Sequence, residues 1–204
     1  MEWTHDTLAK LATNLGQCPR DHLEGWLLEL ADLDPEMGRL LSWRTAALRG
    51  DFDAPALREL IQQLTEIPAD VSWRASGSVE RRIVWLSPLL QTALDSPTAT
   101  GVPEAIELAL WRSEALVMAV QDSEDWSSDL ETSLLSLHLE ACQRLRPDPR
   151  ALAQRMAELK KRSGIGWFDS WPAGYETLLG PDGLAEWQRH AHTRKPTFTR
   201  SPRS

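Results

Sequence analysis

Apolar residues recur at helical spacing along almost the whole chain, and this periodicity limits the fold more than any other feature. In the clearest case, residues 54–67, Leu57, Leu60, Ile61 and Leu64 form one stripe and charged residues lie outside it. Such spacing places side chains on one face of an α-helix. Strand-like alternation is scarce. The sequence therefore predicts an all-α fold, an α-solenoid or helical-repeat-like array of about nine or ten helices.

Asp-Pro pairs and glycines mark where these helices begin and end. Asp34-Pro35 and Asp148-Pro149 each combine an N-cap side chain with a proline at the first helical position. Pro88 is expected to kink or split the fifth helix, and Gly180 to separate the last two. The second helix carries a stripe of Leu23, Trp26, Leu27 and Leu30. The predicted helices span about 6–15, 19–33, 35–48, 54–67, 79–94, 103–121, 128–145, 149–162, 172–179 and 181–192.

A chain of 204 residues is long enough to form one hydrophobic core without a disulfide or metal. We expect a single helical domain over residues 1–192 and a disordered basic tail over residues 193–204. No apolar run approaches the ~18 residues of a membrane span, and the first residues do not resemble a signal peptide. Two cysteines cannot form a disulfide framework. The expected location is the cytoplasm, with no membrane partner.

The net charge of -8 is unevenly divided along the chain. Residues 1–143 hold 10 basic and 24 acidic side chains, a net charge of -14, whereas residues 144–204 hold 12 and 6, a net charge of +6. A basic end is suited to phosphate contact, and Lys160, Lys161 and Arg162 are the candidate nucleic-acid-binding residues. No zinc finger, helix-turn-helix or RNA-binding aromatic motif accompanies them. Nucleic-acid binding is therefore the alternative hypothesis.

Glutamates and tryptophans supply the candidate contacts with a protein or peptide partner. Glu104, Glu107 and Glu114 share a narrow strip of the sixth helix beside Trp111. This strip is interpreted either as the lining of a groove for a cation or basic peptide, or as a solvated strip on a buried helix. Among the ten tryptophans, those in loop-like segments, such as Trp73, favour an interface. The predicted partner-binding set is Glu104, Glu107, Trp111, Glu114, Trp126, Trp167 and Trp171.

His138 and Cys142 form the one pair that suggests chemistry, because they lie four residues apart on a helix. They offer either two metal ligands or a thiol nucleophile with its base. A zinc site needs two further ligands, and a nucleophile needs an orienting third group. His138 falls inside the apolar arc of its helix, which favours a core histidine beside a buried thiol. No phosphate-binding loop or hydrolase motif occurs, so we predict no catalytic residue, metal or cofactor.

Three segments carry packing and capping motifs that together suggest a family. The first, Leu23–Met37, reads as a helix followed by Asp-Pro-Glu and the start of a second helix. The other two are Leu139–Pro149 and Tyr175–Trp187. These segments resemble an uncharacterised bacterial helical domain that often follows a SWIM-type zinc finger. The resemblance extends over about residues 20–192 and implies a tetratricopeptide-like scaffold without catalytic residues. The finger itself is absent, since two cysteines cannot supply its ligands, so zinc is not implied.

These observations predict a non-catalytic helical scaffold that binds a protein or peptide. Helix pairing, the number of tryptophans and the divided charge favour this function. The alternative is a nucleic-acid-associated accessory protein that uses the basic C-terminal end. A third hypothesis is an enzyme or metalloprotein built on His138 and Cys142.

Overall fold

The computed structural model describes residues 5–50, 53–67, 79–80, 82–120, 126–164, 166–168, 171 and 173–191. Within these ranges the fold is an all-α helical array, as predicted, and no residue lies in a strand. None of the helices in the described ranges is both long enough and apolar enough to cross a membrane. The expected tail, 193–204, lies outside the described residues. The described part contains nine helices: α1 (His5–Leu15), α2 (Arg20–Leu33), α3 (Pro35–Leu48), α4 (Ala54–Leu64), α5 (Leu86–Asp95), α6 (Val102–Val120), α7 (Trp126–Leu145), α8 (Pro149–Arg162) and α9 (Glu176–Ala191).

Both predicted Asp-Pro joints start a helix, since α3 and α8 begin at the proline of each pair. The Asp148 carboxylate accepts a hydrogen bond from the Ala151 amide at 2.8 Å. The Asp34 carboxylate accepts one from the Met37 amide at 3.2 Å. The first amides of a helix have no partner within it, so each cap stabilises its helix by about 1 kcal/mol.

The two predicted interruptions differ in outcome. Residues 79–80 and 82–83 are helical, but a turn at residues 84–85 separates them from α5, which begins at Leu86, so the predicted fifth helix is interrupted before Pro88. Pro88 therefore occupies the first turn of α5, where a missing amide costs no helical hydrogen bond. At Gly180 the backbone takes φ 57° and ψ -172°, and the helical path of α9 is broken there. This left-handed φ is inexpensive only for glycine, so the predicted break at Gly180 is confirmed.

The chain divides into two compact units, residues 1–46 and residues 47–204, whereas the sequence suggests one domain over residues 1–192. The N-terminal unit contains α1, α2 and most of α3. Helices α2 and α3 approach closely at Gly38, where an added Cβ would lie 3.0 Å from the Ala31 carbonyl oxygen. Helix α2 nevertheless has no buried residue. Apolar side chains of α2 are therefore exposed to solvent, although Leu40 and Trp43 of α3 are buried.

Helix α6 forms the centre of the C-terminal unit. It packs against α4, α5 and α7, and α5 also packs against α7. Ile106, Leu110 and Leu116 of α6 are completely buried. The sequence of this helix is apolar nearly all round, which is the pattern of a helix covered by neighbours on several sides.

Helices α8 and α9 pack along each other as a pair. Glu186 of α9 is 4% exposed and accepts hydrogen bonds from Gln154 Nε2 of α8 at 2.6 Å and from His190 Nε2 at 2.8 Å. The hydrogen bond from Gln154 is the main reason that the pKa of Glu186 lies below its ordinary value, and it outweighs the opposing effect of burial. A charged carboxylate thus joins the two helices.

Gly183 marks a close approach of α8 and α9. An added Cβ would lie 2.9 Å from the Pro149 carbonyl oxygen and 3.0 Å from Leu179 Cβ. We expect Gly183→Ala to lower the free energy of unfolding by about 1–3 kcal/mol, because the backbones must separate. Urea denaturation followed by circular dichroism measures this change.

Gly25→Ala is the matched control for this substitution, because an added Cβ at Gly25 meets nothing within 4 Å. Alanine also favours a helix over glycine, so stability is expected to stay equal or to rise slightly. An unchanged midpoint for Gly183→Ala would contradict the close packing of the two helices.

Candidate functional site

Polar side chains from four places in the C-terminal unit meet in its interior around Glu107 of α6. Glu107 is 6% exposed and accepts a hydrogen bond from His138 Nε2 at 3.2 Å. Both of its oxygens also lie 3.0 Å from Arg155 Nε, and Arg155 Nη1 pairs with Glu104 at 3.2 Å. His138 Nδ1 lies 2.7 Å from the Tyr175 hydroxyl. We refer to these side chains as the His138 network: Glu104, Glu107, His138, Cys142, Arg155 and Tyr175.

The partners of His138 determine where its proton lies. An ionised carboxylate only accepts hydrogen bonds, so Nε2 carries the proton that is donated to Glu107. In the neutral imidazole, Nδ1 then accepts from the Tyr175 hydroxyl. Burial, followed by the negative charge of nearby groups, raises the pKa of Tyr175 and keeps this hydroxyl protonated. A fully buried imidazole with a partner at each nitrogen is a satisfied core group.

Cys142 lies beside His138 but is not activated by it. Its Sγ is 3.7 Å from His138 Nε2, the nitrogen that donates to Glu107 and so cannot take up the thiol proton. Burial, followed by the charge of Glu107, raises the pKa of Cys142 to about 12. A reactive cysteine requires a lowered pKa and access to solvent. The interpretation of this pair as core, drawn from the apolar arc around His138, is therefore confirmed.

Aromatic rings from the segment before α9 cover the imidazole. Trp171 stacks on His138 with ring centroids 5.5 Å apart, and Phe168 lies 4.8 Å from Trp171. Trp167 and Trp171 are only 6% and 4% exposed. The prediction that these two tryptophans contact a partner is corrected here, because their rings are buried within their own chain.

The predicted glutamate strip of α6 does not form a surface. Glu107 belongs to the His138 network, and Glu114, which is 2% exposed, accepts a hydrogen bond from the Ser163 hydroxyl at 2.5 Å. Burying a carboxylate is costly unless it is paired, so these internal partners are required by the fold. The partner-binding prediction is corrected for Glu107 and Glu114. Glu104 and Trp111 are partly exposed, whereas the Trp126 side chain and Trp73 lie outside the described residues.

The three basic residues predicted to contact nucleic acid form the last turn of α8. Cations at this position favour the helix dipole. Lys160 Nζ lies 5.8 Å from the centroid of the Trp187 ring, and Arg162 pairs with Glu158 at 3.1 Å. Lys161 is partly exposed. Two of the three cations thus have partners within their own chain.

An open groove of about 410 Å³ lies between α5 and α7. Hydroxyl groups dominate its polar lining, and Ser133 donates a hydrogen bond to Ser87 across it at 2.8 Å. The groove lining comprises Ser87, Pro88, Gln91, Ser133, Ser136, Leu137 and Glu140.

In the described part of the chain, no three His, Cys, Asp or Glu side chains are placed to share a metal ion.

Helix α2 carries an exposed apolar surface on residues whose spacing suggests packing. Trp26, Leu27 and Leu30 are each about half exposed, and Leu33 is 81% exposed. We refer to these four side chains as the α2 face. The sequence marks the stripe by its spacing, but the same spacing is typical of a covered helix. Only the three-dimensional arrangement distinguishes a covered stripe from an open one.

No protein-family model, curated protein or solved structure matches this chain. The resemblance to the helical domain that follows SWIM-type fingers therefore stays a prediction. Arguments about function rest on the residues themselves, which are a buried polar network and an exposed apolar helix.

The two cysteines are expected to differ in reactivity. Cys142 is completely buried with a raised pKa, whereas Cys18 is partly exposed. At pH 8 an aromatic disulfide that reacts with thiols should label one thiol per native chain and two thiols per chain in urea. In the native state Cys142 should react at least about a hundredfold more slowly than Cys18. Cys18→Ser should abolish the native labelling. Rapid labelling of Cys142 in the folded Cys18→Ser protein would contradict its assignment to the core.

Removal of Arg155 is expected to destabilise the C-terminal unit. Arg155→Ala leaves the Glu107 carboxylate buried with a single partner, which should lower the free energy of unfolding by about 3 kcal/mol. The control is Arg150→Ala on the same helix, because both members of the Arg150–Asp182 pair are more than half exposed. That change should cost less than about 1 kcal/mol. If both variants lost the same free energy of unfolding in chemical denaturation, the Arg155–Glu107 pair would stabilise the protein no more than the exposed Arg150–Asp182 pair.

Proposed function

We propose that this protein is a non-catalytic helical scaffold that binds a protein partner through the α2 face. The exposure of that face is the observation that carries the proposal. Trp26, Leu27, Leu30 and Leu33 lie within two turns of one helix, and none of them is buried. Covering apolar surface gains roughly 25 cal/mol per Å², so an open stripe of this kind favours association.

Trp26 is the expected anchor of this interaction. It is 48% exposed, so about half of the surface of this residue is available to a partner. Tryptophan is enriched among the residues that dominate interface energies, because it combines a large apolar area with few rotatable bonds. The proposal therefore replaces the glutamates and buried tryptophans suggested by the sequence with a different surface.

The interior of the C-terminal unit supports the non-catalytic part of the proposal. Every polar group that suggested chemistry has an internal role: the His138 imidazole is satisfied at both nitrogens, and the Cys142 thiol is protonated and buried. Catalytic groups instead need access to a substrate and a pKa suited to proton transfer. The network is better suited to holding helices together.

Affinity capture with three versions of the full chain tests this function. Leu30→Asp/Leu33→Asp places two charges on the α2 face, and Leu28→Asp is the matched control because Leu28 is 72% exposed but lies outside the face. Wild type and the control should retain a partner that the double variant loses by about tenfold or more. Circular dichroism should show all three folded. Equal recovery of the same proteins by all three would contradict the proposal.

A further inference from the structure

We infer that the α2 face receives an amphipathic helix of a partner protein whose apolar stripe is flanked by Lys and Arg. This inference rests on the proposed function and specifies the chemistry of the partner. Two observations carry it: the shape of the exposed stripe and the charge around it.

The shape of the α2 face fits another helix. Trp26, Leu30 and Leu33 follow i, i+4, i+7 spacing, which aligns their side chains over two turns, or about 10 Å. A straight apolar ridge of this kind packs into the groove between the side-chain rows of a second helix. Recognition of an amphipathic helix by such anchors is a common mode of protein association.

The helix that carries the face is acidic. Helix α2 carries four acidic side chains and a single cation, Arg20, which pairs with Glu24 at 2.6 Å. In the part of the chain that the structure describes, Asp21, Glu29 and Asp32 have no cationic partner. Glu29 borders the face, since it lies one helical turn before Leu33. The N-terminal unit as a whole has 4 basic and 8 acidic side chains over residues 1–46. Basic flanks complement this charge.

The same charge disfavours a second copy of the chain as the occupant. Two α2 faces packed together would bring together two helices that each carry a net charge of -3. Like charges across an interface reduce its stability, so self-association is disfavoured. The basic segment 193–204 of this chain has a complementary charge, but Phe198 is its one large apolar side chain. It cannot fill a stripe of four.

Synthetic peptides test the inference with the full-length protein. The probe is a fluorescein-labelled 18-residue peptide with leucines at i, i+3, i+4 and i+7 spacing and Lys or Arg on both flanks. A second peptide keeps the leucines and replaces the cations with Glu, and a third scrambles the leucines. Fluorescence anisotropy should give a micromolar Kd for the basic peptide and weaker binding, by about tenfold or more, for the other two. The preference over the Glu peptide should shrink in 0.5 M salt.

Variants locate the binding on α2. Leu30→Asp/Leu33→Asp should weaken binding of the basic peptide by at least about tenfold. Leu28→Asp should leave the Kd of this peptide unchanged. Glu29→Lys, which reverses the charge that borders the face, should weaken binding of the basic peptide and strengthen binding of the Glu peptide. Circular dichroism must show each variant folded like the wild type.

Other outcomes overturn the inference in distinguishable ways. Equal binding of the basic and Glu peptides would remove the charge argument but leave protein binding by the α2 face in place. A dimer in sedimentation that Leu30→Asp/Leu33→Asp dissociates would assign the face to a second copy. Peptide binding that appears only after residues 193–204 are deleted would assign it to this chain's own C-terminal segment. Failure of affinity capture, in contrast, would overturn the proposed function itself.

Discussion

The charge of Glu107 is the constraint on which the arrangement of the C-terminal unit depends. Glu107 lies on α6, a largely buried apolar helix, where an unpaired carboxylate would cost several kcal/mol. Its partners, His138 on α7 and Arg155 on α8, come from two other helices. Tyr175 extends the connection to the start of α9 through His138. One buried anion therefore couples four elements, and hydrophobic packing alone would not select this relative placement so specifically.

Much of the secondary structure follows from the sequence, because its signals are local. Asp148 and Pro149 determine the start of α8 by capping chemistry that involves only neighbouring residues. The His138 network was not predictable, since Glu107 and Arg155 are separated by 48 residues and meet only through tertiary packing. Polar residues inside apolar arcs were the available signal. For His138 that signal was interpreted correctly, whereas for Glu107 and Glu114 it was taken for a surface strip.

The two units use their side chains in opposite ways. In the C-terminal unit, His138 is buried with a hydrogen-bond partner at each ring nitrogen, and large aromatic rings such as Trp171 cover it. On helix α2 of the N-terminal unit, by contrast, leucines and Trp26 remain in contact with water. Sequence patterns do not reveal this difference, because spacing specifies which residues share a face and not whether another element covers that face. The proposed function therefore rests on the exposure of the α2 face, which the three-dimensional structure shows and the residue spacing does not.

The unequal burial of the two cysteines has a practical consequence for the oxidised protein. Because Cys142 is enclosed by the interior, a disulfide formed by the folded chain must use Cys18 and therefore join two molecules. Cys18 also precedes α2 by two residues. The natural sequence thus carries one attachment point for a spin label or fluorophore beside the helix proposed to bind a partner. Motion and distance changes at that helix become observable without introducing a foreign residue.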